Sequence, residues 1–211
     1  MGLLDRIAPR RGDAGSSRGS GDDAVFTTKT LPKFLTCLTA REWPVLMDLG
    51  PVVGSNVSFF GEQLGCKILV EDLYSDLDRH VRTQTTAALP AFLTSRFSQP
   101  SGTIDGILCW DVFDYLDRPA AQALAAQLTR ILRPDGALLG FFSASQVADT
   151  RYSKYVIVDR LNLRHRAYPS ARGRQSVLAN RDIIRLFETL RVADSFLLKN
   201  NLREFLFRKP A

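Results

Sequence analysis

The chain has 211 residues, 45% of them hydrophobic and 24% charged, with a formal net charge of +6. This suits one ordinary folded domain, and a chain of that size buries roughly 70% of its unfolded surface without a metal or disulfide staple. Three scattered cysteines (Cys37, Cys66, Cys109) and two isolated histidines (His80, His165) argue against a redox centre or a metal site. No apolar run is long enough to span a membrane, and "MGLLDRIAPRR" lacks the apolar core and cleavage site of a secretory signal. A cytoplasmic protein is expected.

Residues 1–26 are rich in Gly, Ser, Arg and Asp and predict a disordered tail, followed by a single domain over 27–211. Leu31, Phe34, Leu35 and Leu38 share one face of a helix, with Pro32 in its first turn. "PVLMDLG" (44–50) is a short apolar run ending in an acid and a glycine, as a buried parallel strand does. Ser55 or Asn56 caps a helix carrying Val57, Phe60 and Leu64, which stops at Gly65. "KILVED" (67–72) is a second buried strand. Residues 73–100 predict helices near 74–84 and 86–97, with at most a short strand between them.

"IDGILCWDVFDYL" (104–116) gives a third clear strand over 105–110. Pro119 opens a helix with Leu124, Leu128, Ile131 and Leu132 inward, "RPDG" ends it, and "ALLGFFSA" (137–144) is the next strand. Asn180 caps a helix with Ile183, Ile184, Phe187 and Leu190 inward. "DSFLLKN" (194–200) and "REFLFRK" (203–209) are too close together for a crossover helix, so they form an antiparallel hairpin. Alternating strands and helices predict an α/β fold, a doubly wound, mostly parallel sheet with helices on both faces.

The charge is concentrated. Between Arg151 and Arg181 stand eight basic residues (Arg151, Lys154, Arg160, Arg164, Arg166, Arg172, Arg174, Arg181) against one acid, Asp159. Residues 145–179 are too long for an ordinary loop and predict a basic cover or lid. Tyr152, Tyr155 and Tyr168 interleave with the cations, a pattern that also suits a phosphate-bearing or nucleic-acid partner.

Ligands of open α/β sheets sit outside the carboxyl ends of the strands. Asp48 with Gly50, Glu71 with Asp72, Trp110 with Asp111, and Ser143 all fall there. "DLGPVVGSN" (48–56) spaces its glycines G-x-x-x-G rather than the G-x-G-x-x-G of dinucleotide sites. Asp48 before the turn would oppose a pyrophosphate, and suits instead a cofactor carrying an amine and a sulfonium. Glu71, placed 23 residues after Asp48, can accept hydrogen bonds from ribose hydroxyls.

On "VLMDLGPVVGSN", the acidic end of "KILVED", "IDGILCWDVFDYL", "LTRILRPDGALLGFF" and the terminal hairpin, the chain resembles class I S-adenosylmethionine-dependent methyltransferases over about residues 30–209. The resemblance implies a Rossmann-like, seven-stranded sheet with its last strand antiparallel, and S-adenosylmethionine as cofactor. It implies a cofactor lying over Gly50 to Gly54, its ribose on Glu71 and its methionine end near Asp111. The candidate cofactor-binding residues are Asp48, Gly50, Pro51, Gly54, Glu71, Asp72, Trp110 and Asp111. Val52 departs from the family pattern, standing where the middle glycine belongs. Either the turn takes another path that leaves room, or the pocket narrows.

Methyl transfer needs orientation and a nucleophile free of its proton, not a fixed triad. Asp111 is the best-placed carboxylate, Asp114 and Tyr115 read as turn and packing residues, and His165 is a candidate base on the lid. The expected activity is methyl transfer to a small-molecule acceptor. Two alternatives stay open: an inactive methyltransferase-like scaffold, motivated by Val52, and an RNA or other nucleic-acid methyltransferase using residues 151–181.

Overall fold

The computed structural model describes residues 23–145, 151–175 and 177–211. At its centre is a six-stranded sheet in the order β3-β2-β4-β5-β9-β8. Strands β2 (Val45–Asp48), β3 (Lys67–Val70), β4 (Ile104–Trp110) and β5 (Leu132–Ser143) run parallel. β9 (Leu202–Arg208) lies antiparallel between β5 and β8 (Arg191–Leu197), so the carboxyl-terminal hairpin is seated with its second strand inside.

Successive residues of the inner strands feed two separate cores. Met47, Ile107 and Leu138 pack with α3 (Leu73–Arg82), α4 (Leu89–Ser95), α5 (Arg118–Ile131) and α6 (Asn180–Leu186). Leu46, Leu108 and Leu139 pack on the other side with α1 (Leu31–Leu38) and the aromatic residues Phe59 and Phe60. All seven residues of β4 are buried, as a strand covered on both faces requires. The register is pinned by Asp105 inside β4, which accepts from the Val45 N–H at 2.9 Å and pairs with Arg133 at 2.9 Å.

Three expectations change. The sheet has six strands, not seven, because residues 73–100 supply only α3, a 3-10 turn and α4. The domain also starts earlier than residue 27: β1 (Val25–Thr27) pairs antiparallel with β7 (Asn162–Pro169), and Phe26 packs edge-on against Tyr155. Residues 1–22 of the expected tail lie outside the described residues. Finally, α2 (Gly54–Ser58) runs into a π-helical turn, Phe59–Gln63, and no side chain caps its start.

The basic interval forms a second layer. β6 (Arg151–Ile157) and β7 make an antiparallel hairpin, and with β1 a three-stranded sheet in the order β1-β7-β6. This small sheet meets the main one at the carboxyl ends of its parallel strands. Several of its charges are paired, and Arg151, Arg160, Arg166 and Arg181 are exposed. Arg164 and Arg166 share Asp23, Arg172 faces Asp117, Arg174 turns inward to Asp111, and Lys154 lies over the Tyr168 ring.

Candidate functional site

Three of the four parallel strands, β2, β3 and β4, deliver an acid to the same end of the sheet, and β5 ends there in Ser143. Asp48, at the end of β2, is 5% exposed, and its Oδ1 accepts from the Gly50 N–H at 2.8 Å and the Trp110 indole N–H at 2.6 Å. Burial pushes this carboxyl up to about 6, while those two donors pull it down. The turn that follows avoids the strain expected of a valine. Val52 is 63% exposed and has no left-handed backbone, and Gly54 opens α2 with free space around it. The turn thus needs no left-handed residue at position 52, and Val52 does not line the cavity beside Pro51.

After β3 the two acids separate. Both carboxylate oxygens of Glu71 are taken, one by Arg96 at 2.8 Å and the other by Gln99 at 2.9 Å. Asp72 instead adopts the left-handed conformation at φ 36°, accepts from Ser75, and lines a cavity beside Pro51. An Asp tolerates that backbone where bulkier residues do not.

After β4 come Trp110, Asp111 and Asp114. Asp111 is fully buried and accepts from the Tyr74 hydroxyl at 2.6 Å, with Arg174 3.5 Å from its other oxygen. Asp114 accepts from the Ser143 N–H at 2.9 Å, and burial together with the Asp111 charge pushes its carboxyl up to about 7. Arg174, although burial opposes its charge, is held protonated by Asp111 and Asp114. His165 lies on the cover, where its Nε2 meets Ser153 Oγ at 2.9 Å and its ring contacts Tyr155.

Above these acids the cover inserts rings. Tyr152 sits with Tyr74 at 4.9 Å and Tyr115 at 4.8 Å between ring centres, with Tyr168 behind at 5.6 Å. Tyr155 stacks on Trp110 at 5.2 Å. What remains is a cavity of about 90 Å³ lined by Pro51, Asp72, Tyr74, Ser75, Asp78, Tyr152 and Tyr168. The hydroxyls of Tyr152 and Tyr168 are buried there without hydrogen-bond partners among the described residues, a mark of a polar site with an absent partner. A larger groove, about 750 Å³, lies between α5 and α6 and contains none of these acids.

The structure therefore brings Asp48, Gly50, Pro51, Asp72, Trp110 and Asp111 to one mouth and ties Glu71 into an ion pair beside it. Four participants were not expected from the sequence. Tyr74 sat in an ordinary helical pattern, Asn56 read as a candidate helix cap, Tyr115 as a turn and packing residue, and Arg174 as one cation of the basic cover. Among the described residues no cluster of His, Cys, Asp or Glu could hold a metal ion, and no helix is long and apolar enough to cross a membrane.

No family model matches the chain, and no curated protein does. Solved structures do. A TehB-like S-adenosylmethionine-dependent methyltransferase from Corynebacterium glutamicum is 15% identical with a TM-score of 0.50, over 85% of this chain and 87% of that one. The 1,6-didemethyltoxoflavin-N1-methyltransferase of Burkholderia thailandensis, solved with its substrate and S-adenosylhomocysteine, is 14% identical with a TM-score of 0.50, over 86% and 79%. An S-adenosylmethionine-dependent methyltransferase from Clostridium acetobutylicum is 11% identical with a TM-score of 0.50, over 86% and 92%. At these identities the likeness is one of fold.

Proposed function

We propose that this chain, whose fold is that of the class I S-adenosylmethionine-dependent methyltransferases, binds S-adenosylmethionine at the mouth of β2, β3 and β4 and methylates a small-molecule acceptor. The observation that carries this reading is the arrangement at the strand ends: Asp48 holds the turn before Pro51 through the Gly50 N–H, Asp72 lines the cavity beside Pro51, and buried Asp111 accepts from Tyr74, which lines the same cavity. Three carboxylates at strand ends suit a ligand bearing an ammonium and a sulfonium and would repel a pyrophosphate.

The donor set fits that cofactor. The ribose hydroxyls fall to Asp72, which faces the cavity, rather than to Glu71, whose oxygens are occupied by Arg96 and Gln99. Asp48 holds the turn in shape through the Gly50 N–H. Asp111, fully buried, bears on the cationic end through Tyr74, which donates to it and lines the cavity. When bound, the cofactor supplies an activated methyl group on sulfur. The chain's own work is then to orient the acceptor in line and exclude water, which the cover of Tyr152, Tyr155 and Tyr168 does. A small acceptor is supported by the toxoflavin-type neighbour. Three unbridged cysteines support a reducing, cytoplasmic setting.

The space is tighter than the chemistry. Pockets for small molecules measure roughly 300–1,000 Å³, against the cavity of about 90 Å³ found here, so entry requires the cover to move. That filled cleft also favours a second reading, a methyltransferase-fold binding module without catalysis. Calorimetric titration with S-adenosylmethionine and S-adenosylhomocysteine separates the two. Under the enzyme reading, both bind and Asp72→Ala weakens binding at least about tenfold, the loss of a hydrogen bond to a charged group. Glu71→Ala leaves affinity close to wild type. Absence of heat at millimolar ligand sinks the enzyme reading.

A further inference from the structure

The cleft is filled by rings that are themselves held in a particular way. Trp110 closes β4 with φ 49°, a conformation that a bulky residue rarely adopts. From it the indole lies against Gly50, donates to buried Asp48 at 2.6 Å, and stacks on Tyr155 with an interplanar angle of 12°. Tyr155 belongs to β6, an outer strand of the cover sheet, so one side of its backbone lacks a strand partner.

Asn56 supplies that partner. Its Nδ2 donates to the Tyr155 carbonyl at 2.8 Å and its Oδ1 accepts from the Ile157 N–H at 2.8 Å, the two bonds a neighbouring strand would make. Asn56 is 3% exposed and lies in α2, the helix that follows the Pro51 turn. The segment that shapes the ligand mouth is therefore also the segment that fastens the cover over it.

We infer that Asn56, Tyr155 and Trp110 form a latch that closes the ligand mouth in the free protein. The inference rests on the cofactor site proposed above. Release of the two Asn56 bonds lets β6 lift Tyr155 from the indole, after which Trp110 can leave Gly50 and Asp48. A ligand that binds only the open form sees its affinity reduced by the open fraction, so weakening the latch strengthens binding.

The test uses a Trp43→Phe background. Trp43 is 75% exposed, and its removal leaves Trp110 as the sole tryptophan of the chain's two. Asn56→Ala in that background is expected to raise acrylamide quenching of Trp110 severalfold without any ligand. It should also bind S-adenosylhomocysteine about tenfold tighter than the parent, as a larger open fraction requires. Should Asn56→Ala not fold by circular dichroism, Tyr155→Ala removes the stack while keeping both backbone bonds, and the same two readings apply. Unchanged quenching in a folded variant overturns the latch, whether or not the ligand binds. Raised quenching with no ligand binding in either protein upholds the latch and defeats the cofactor reading instead.

Discussion

Gly50 and Trp110 fit so closely that a methyl group on Gly50 would lie 2.7 Å from the indole Cδ1 and 2.8 Å from Nε1. The glycine of this turn is thus required by the chain's own side chain, not by a left-handed backbone, since Gly50 has none. Gly54, four residues on, has nothing within 4 Å of the same position. Gly50→Ala is expected to displace the indole and cost about 1–3 kcal/mol, the usual range for overpacking a filled site. Gly54→Ala, at the start of a helix and free of contacts, should stay within about 0.5 kcal/mol of the parent. Urea unfolding of the two variants checks the contrast, and equal losses would show that Trp110 does not rest on Gly50.

Two buried carboxyls set a pH dependence. Asp48 is pushed up to about 6 by burial, and Asp114 to about 7 by burial and the Asp111 charge. Both folded values exceed the unfolded one of about 3.9, so the folded state holds the extra protons. Their stabilising effect is fully present below about pH 4 and is lost as pH rises through about 6 and then 7. For Asp114 the full loss is on the order of 4 kcal/mol, of which about 2–3 kcal/mol falls between pH 5 and pH 8. Urea midpoints at pH 5 and pH 8 read that part together with the Asp48 contribution. Asp114→Asn should lose much less stability over that interval than the parent, and an identical decline in both would refute the assignment.

Asp105 offers a test of the sheet itself. Its carboxylate, 6% exposed, accepts from the Val45 N–H, and Arg133 and Arg41 approach it at 2.9 and 3.3 Å. Asp105→Ala leaves a backbone donor and two guanidinium groups without their acceptor, and should cost about 2–4 kcal/mol. Asp105→Asn keeps an acceptor for Val45 and should recover part of that loss. Thermal unfolding of both variants reads the difference, and equal losses would place the stabilising role in the charge alone.

What the sequence made legible follows from which forces are local. Strand ends announce themselves through composition, so Asp48, Asp72 and Asp111 could be placed at one mouth from "VLMD", "KILVED" and "ILCWD" alone. The carboxyl-terminal hairpin was legible because four residues cannot hold a crossover helix. Which of Glu71 and Asp72 lines the cavity was not, because it depends on Arg96 and Gln99, some 25 residues on, reaching back to bind Glu71. Which of the two paths open to the Val52 turn is taken was not legible either. A turn's path is set by what surrounds it, and here the Trp110 indole and Asp48 Oδ1 make Gly50 the position that must stay small. The burial of Arg172 and the partial burial of Arg174 were equally invisible, since nothing in "SARGRQS" distinguishes them from the exposed arginines of the same interval.

Arg174 is the group on which the buried acids depend. It stands 3.5 Å from Asp111 and 3.9 Å from Asp114, both of them shut off from solvent. Removing one partner of a buried ion cluster leaves uncompensated charge, a loss of about 3–5 kcal/mol. Arg174→Met keeps much of the volume and removes the charge together with the hydrogen bonds to Ser143 and Asp111, and the part of the loss due to charge should appear near pH 8, where Asp114 is ionised. At pH 5 Asp114 takes up a proton, since its carboxyl titrates at about 7, and the loss should shrink. Combining Arg174→Met with Asp114→Asn should restore part of the stability at pH 8 through the same relief of charge. Urea midpoints for the parent, both single variants and the double variant at the two pH values close the cycle. A loss independent of pH and additive in the double variant would mean that Arg174 acts through packing over Tyr115, not through its charge.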